Sequence, residues 1–348
     1  MNRNSEGVGK RRWLWAGIGF ICMLGVPALP LGQYPFHLIV LMLVWAFIGT
    51  SWSLMGKFGL VSLGHGAFIG IGMYVVGLLW NTWALTPWAG IPIAIAAALL
   101  VGFLIGYPSF RFQVVGHYFA LVTLALGEVV RLSVIAARDY TGGSLGMTPQ
   151  RMADAPLSWY ALQFSDKRYF FYLAMALWVA VLWIWVRIDR SKLRSALEAI
   201  SEDEVAAASI GIHVTRTKLQ VTLLSAGLTA LGGILLGQYN MYISPEWAGI
   251  GISLQVVFAS IVGGMYSLWG PSLGAVLTIA LNESLRNLFG TKLVGASESI
   301  YGLLLILFII FMPNGIYGGI ESWWKKRRRG PGPSAPAARK PAPTSARA

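Results

Sequence analysis

Ten apolar runs, each near spanning length, set the terms for this chain. They lie at 13–31, 35–54, 59–80, 88–107, 114–136, 169–187, 218–237, 251–269, 271–290 and 298–317. A helix needs about 20 apolar residues to cross the hydrocarbon of a bilayer, and one soluble core cannot absorb ten such segments. The 56% hydrophobic and 12% charged composition leaves too little polar surface for the alternative. An all-α, polytopic membrane protein of about ten transmembrane helices follows. Its glycines suit helices that pack closely in lipid.

The net charge of +13 points to topology rather than to nucleic acid, because the basic residues fall in short clusters between apolar runs. Arg3, Lys10, Arg11 and Arg12 mark residues 1–12 as a basic cytosolic N-terminus. The run after them is too long for a usual signal-peptide core, and many more spans follow, so it reads as a retained helix. Alternation from there puts Lys57, Arg111, the stretch from Arg187 to Lys218 and the run Lys325 to Arg329 inside. The connections 81–87 and 238–250 fall outside and hold no Lys or Arg; Lys292 is an exception. The nearly neutral connection 137–168 is placed outside. Residues 13–317 form the membrane domain, with both termini cytoplasmic. The basic, Pro/Ala-rich tail 318–348 is expected to be disordered. Cys22 is the one cysteine, so no intrachain disulfide is possible.

Between two strongly apolar runs, residues 188–218 carry a dense set of charges. Ser201 followed by Glu204 reads as a capping box, and Glu202, Asp203 and Glu204 place negative charge where a helix dipole favours it. The alanine-rich segment to Ile210 propagates as helix, and Gly211 suits the left-handed stop. A short acidic rod over 202–210, nearly bare along its middle, has the form of a docking element.

Inside the spans, Glu128/Arg131 and Glu283/Arg286 are neighbours at i,i+3 on one helix face. Ionisable groups at that depth are functional candidates, here as a vestibule for a zwitterion, although a self-neutralising pair between packed helices is the plainer reading. Leu121 to Leu132 aligns with Val276 to Asn287 at an offset of 155, and Gly72 and Gly77 align with Gly227 and Gly232. The expectation is a parallel internal repeat, with sites near the repeat interface. Glycines crowd Ser62-Leu-Gly-His-Gly-Ala-Phe-Ile-Gly-Ile-Gly72 and Ile261 to Pro271, which points to interrupted helices. Gly66/Gly70, Gly102/Gly106, Gly233/Gly237 and Gly270/Gly274 have the spacing of close helix crossings. Thr141 to Gly146 reads equally as a partner-binding loop or a plain turn.

Enzymatic patterns are weak. The four histidines have no metal-ligand spacing, no phosphate-binding loop occurs, and two Gly-x-Ser-x-Gly matches follow no strand. Any ATP and Mg²⁺ are therefore expected on other chains, with no cofactor or metal on this one.

Glu204-Val-Ala206-Ala207 with Gly211 resembles the EAA-type coupling loop of bacterial ABC importer permeases. In order, Ser62-Leu-Gly64-His65, Gly116-His-Tyr118-Phe-Ala-Leu-Val-Thr123-Leu-Ala125, Thr141-Gly-Gly143, Tyr242-Ile-Ser-Pro245, Gly263-Gly264 with Ser267 to Pro271, and Pro313-Asn-Gly315 are similar to the M-type permeases of branched-chain amino acid importers, over about residues 35–320. Ser201 stands where that family often has a basic residue, and Arg194-Ser195 where it often has Gly-Arg. The resemblance implies a heterodimer with a sister permease, two cytosolic ATPases, a periplasmic solute-binding protein and a bacterial inner-membrane location. It places ATPase coupling on Arg194, Ser201, Glu202, Asp203, Glu204, Ala206, Ala207 and Gly211. The path is expected along spans 3, 5, 8 and 9, with Ser62, Gly64, His65, Tyr118, Thr123, Glu128, Arg131, Gly263, Gly264, Glu283 and Arg286 as candidates. Relatives that move urea or short amides leave the cargo open. A self-contained ion-coupled carrier using the two Glu/Arg pairs is the rival reading.

Overall fold

The computed structural model describes residues 23–30, 32–151, 157–289, 296–311 and 315–319. Most of the expected first span, and the tail from residue 320, lie outside the described residues. The other nine expected spans each coincide with a helix: α1 Gln33–Gly56, α2 His65–Trp83, α3 Pro87–Arg111, α4 His117–Ala136, α5 Lys167–Asp189, α8 Val214–Asn240, α9 Ile250–Gly263, α10 Gly270–Phe289 and α11 Ala296–Phe311. Two short helices, α6 Lys192–Glu202 and α7 Glu204–Ser209, occupy the charged connection. Six helices, α1 to α5 and α8, are long and apolar enough to cross a membrane. The chain is an all-α polytopic membrane protein.

Local signals explain the helix limits. Pro87 opens α3 at a position where its missing N–H costs nothing. Asp166 caps α5 by accepting from the Arg168 amide at 2.9 Å. Gly264, at φ +110, ends α9 in a left-handed conformation that favours glycine.

The centre is built on α1 and α8. From Leu43 to Gly56 α1 is buried on every side, as expected of a helix with no polar face. Its neighbours are α10, α5, α8 and α9, while α8 also packs on α2 and α3. The two run antiparallel: His37 Nδ1 lies 2.6 Å from the Tyr239 hydroxyl, and Ser225 donates to the Ser51 carbonyl at 2.7 Å.

This pairing organises an internal repeat. Helix α1 packs on α10 as α8 packs on α3, α2 lies along α3 as α9 lies along α10, and α4 and α11 flank α2 and α9. Because α1 and α8 oppose each other, α8–α11 repeat α1–α4 in inverted orientation. Pro87 and Gly90 at the start of α3 match Pro271 and Gly274 at the start of α10. The offset of 155 gives a different pairing, which the packing does not follow. Helices α2 and α8 do run in one direction side by side, yet α8 has no packing along α9 comparable to that of α2 along α3. The matched Glu/Arg pairs mislead because each neutralises itself, so it can recur on spans with unrelated neighbours.

Two connections return into the bundle. The chain after Lys57 climbs to His65, whose Nε2 lies 2.9 Å from Ser225, near the middle of α8. The chain after Asn240 passes through a 3-10 turn, Pro245–Ala248, and starts α9 beside α2. The Gly66 amide donates to Ser253 Oγ at 2.8 Å, so the starts of α2 and α9 meet inside the molecule. The interruption expected in span 3 is therefore present, and so is the break between α9 and α10. The Thr141 to Gly146 segment is a fixed turn: Met147 and Ile243 exchange backbone bonds of 2.8 and 2.9 Å, pinning it to the second returning connection.

Candidate functional site

The charged connection folds more regularly than its sequence implies. Helix α6 buries Leu197 and Ile200 on one side and pairs Arg194 with Glu198 on the other, at 2.6 Å. Ser201 belongs to the end of α6 and donates to the Glu198 carbonyl at 2.7 Å. The capping residue of α7 is therefore Asp203 rather than Ser201. Its Oδ1 accepts from the Val205 and Ala206 amides at 2.8 and 3.0 Å. Ser201 is already helical, so it cannot supply the extended backbone a cap needs, whereas Asp203 has φ −156° and ψ 113°. At the other end Gly211 takes φ +91°. Its amide and that of Ile212 bond to Ala208 and Ala207, closing the helix as its sequence predicts.

Six residues long, α7 buries only Ala207. Val205 and Ile210 are exposed, as are Glu202 and Asp203. Glu204 forms an ion pair with Lys218, in the second turn of α8. Lys218 is 3% exposed and lies 5.7 Å from the centre of the Phe110 ring at the end of α3. A buried ammonium needs a counter-charge, so this pair fixes α7 to α8. A cleft of about 1240 Å³ separates α7 from the ends of α3 and α8. Nearby, Lys57 Nζ lies 2.6 Å from Asp189 and 3.8 Å from the centre of the Trp185 ring, tying the ends of α1 and α5. Burial lowers the Lys57 pKa, partly offset by the hydrogen bond to Asp189.

A second set of candidates meets where α2 and α9 begin. His65 is fully buried, between Ser62 at 3.1 Å and Ser225 at 2.9 Å. Since Ser225 donates to Ser51, it accepts from His65 Nε2–H, and Nδ1 accepts from Ser62. Thr123 Oγ1 receives the Leu63 amide at 3.0 Å, and a Cβ on Gly64 would stand 2.2 Å from the Thr123 carbonyl. Ser62, Gly64, His65 and Thr123 therefore form one latch that holds the first returning connection. Gly263 and Gly264 are buried at the crossing of α9 and α10, where a Cβ on Gly263 would meet the Gly270 carbonyl at 1.9 Å.

The remaining candidates separate. Tyr118 is exposed on α4. Arg131 binds Glu128 through Nε and Nη2, and its Nη1 faces Glu246 at 3.7 Å. Glu283 accepts from Arg286 at 2.8 Å and from the hydroxyl of Tyr34, in the first turn of α1. The sequence reading missed Lys218, which looks like the edge of an apolar run, and Glu246, the one acid in the 238–250 connection. Among the described residues, no group of three or more His, Cys, Asp or Glu could hold a metal.

Together these features define a membrane-embedded transport subunit: an inverted-repeat bundle with returning connections and a short, nearly bare helix at one end. Residues 34–312 match the family described as the branched-chain amino acid transport system / permease component, and the chain belongs to it. It is 31% identical over 296 residues to the high-affinity branched-chain amino acid transport system permease protein LivM of Escherichia coli (strain K12), covering 79% of this chain and 68% of that protein. The LivM protein of Salmonella typhimurium is 30% identical over 294 residues, with the same coverage. A probable branched-chain amino acid transport permease protein LivH of Methanocaldococcus jannaschii is 26% identical over 275 residues, 76% of this chain and 84% of that one. No solved structure matches.

Proposed function

We propose that this chain is the M-type permease subunit of an ATP-driven importer for branched-chain amino acids in a bacterial inner membrane. It pairs with a sister permease, two cytosolic ATPases and a periplasmic solute-binding protein. ATP and Mg²⁺ act on the ATPases, and this chain is not itself a catalyst. The basic end, with Lys57, Arg111 and α6–α7, faces the cytosol together with both termini, as the clustering of Lys and Arg supports.

The observation that carries this reading is the construction of α7. A helix of six residues contributes little packing of its own, yet it is capped at both ends and joined through Glu204 to a buried lysine on α8. A push on α7 is thereby delivered to α8, and through α8 to α1, α2 and α3. The route for the amino acid runs beside α2, α4, α9 and α10, at the interface with the sister subunit.

Uptake of leucine by cells carrying the complete importer tests the energy source. ATP depletion is expected to abolish uptake while dissipation of the proton gradient, at constant ATP, leaves it intact. The reverse pattern would establish the ion-coupled carrier instead.

A further inference from the structure

We infer that Glu246 and Arg131 form a binding station for the charged end of a zwitterionic amino acid on its way through the permease. This rests on the transport reading above and specifies which cargo the chain accepts.

The station is built from two elements. Glu128 and Arg131 sit one turn apart on α4, and Glu246 lies in the 3-10 turn that precedes α9. One guanidinium serves two carboxylates here. Two of its nitrogens are spent on Glu128, and the third, Nη1, stands 3.7 Å from Glu246, beyond hydrogen-bond distance. Glu246 is 79% exposed at its side chain, and no other cation pairs with it among the described residues. Among the described residues Glu246 thus has no cation within hydrogen-bond reach and Arg131 Nη1 no anion, so the pair offers one acceptor and one donor to a ligand that carries both charges. The α-ammonium group of an amino acid can take Glu246, and its α-carboxylate can take Nη1. A weak contact within the chain then gives way to two charge-assisted hydrogen bonds.

The surroundings fit the rest of the ligand. Arg131 packs against Gly249, the capping residue just before α9, since a Cβ there would lie 3.3 Å from Arg131 Cδ. The first turn of α9 adds a positive dipole end beside the carboxylate. Gly251, in that turn, has no atom within 4 Å of where its Cβ would be, so the place is open. Val129 and Leu132, both exposed on α4, offer apolar contact to a branched side chain. Urea or a short neutral amide has no ammonium for Glu246 and gains nothing from this arrangement.

The test uses the complete importer, purified with its partner subunits and receptor, in proteoliposomes. Leucine uptake and ATP hydrolysis are measured in the same vesicles at saturating receptor. Glu246→Gln is expected to lower leucine moved per ATP by about tenfold, the lower end of what one lost hydrogen bond to a charged group costs. ATP hydrolysis stimulated by liganded receptor stays within about twofold of wild type on this account, and Glu246→Asp retains coupling. Unchanged uptake in Glu246→Gln overturns the inference. So does a parallel fall of uptake and ATP hydrolysis that extra receptor restores, because Glu246 would then belong to receptor docking. Wild-type vesicles that move no leucine with ATP would refute the transport reading itself, a separate result.

Discussion

Lys218 is the residue on which the proposed coupling turns. With 3% of its surface exposed, its ammonium has lost most of its water, and the Glu204 carboxylate replaces it. Removing one partner strands the other, at about 1–3 kcal/mol for a buried polar group and more for a charge. Glu204→Gln is therefore expected to weaken attachment of α7 and cut ATP-driven uptake severely, with the membrane bundle still folded. The exchange Glu204→Lys with Lys218→Glu restores the pair and is expected to recover part of the uptake. If both single variants transport at the wild-type rate, the pair does not carry the coupling. Arg194, by contrast, is neutralised within α6 by Glu198, so Arg194→Ala is expected to change uptake less than Lys218→Ala.

At the scale of elements, helix crossings depend on backbone contact rather than side-chain volume. Gly274 brings α10 onto α9 so closely that an added Cβ would stand 1.8 Å from the Ala259 carbonyl. Gly274→Ala must push the two helices apart, and lower thermal stability and yield in detergent are expected. Gly251→Ala, which meets nothing within 4 Å, is the matched control and is expected to stay near wild type. Equal melting temperatures for the two would mean that the α9–α10 crossing is not tightly packed. The GxxxG spacing exposed this crossing in the sequence, as it did at Gly233, whose Cβ would meet the Ile69 backbone. The Gly211 stop was equally legible, because a left-handed turn leaves few residue choices. The cap was not. Ser201 and Asp203 are both good capping residues, and only the end of α6 at Glu202 decides that Asp203 takes the role. Side-chain networks such as His65–Ser225–Ser51 join residues 160 and 174 positions apart in the chain, and nothing local announces them.

For the molecule as a whole, spans were readable because lipid imposes one length on every crossing helix, whereas their arrangement was not. Inverted halves place corresponding residues on opposite sides of the membrane, so their loops face different solvents and retain little common sequence. The surviving trace is the Pro87/Gly90 and Pro271/Gly274 pair. On the transport function proposed above, such a bundle alternates by rocking one repeat against the other around a fixed centre. The meeting of α2 and α9 at Gly66 and Ser253, with α4 beside it, is the centre this proposal assigns. Helix α4 also presents an apolar face, exposed at Val122 near one end and at Leu132 near the other. If this face borders the path, ATP-driven rocking opens one end while closing the other. With Cys22 replaced by Ser, single cysteines at positions 122 and 132 are expected to change their maleimide reactivity in opposite directions when ATP is added to the complete importer. Reactivities that move together, or not at all, would place α4 away from the moving path, whether against lipid or in a static contact with the sister subunit.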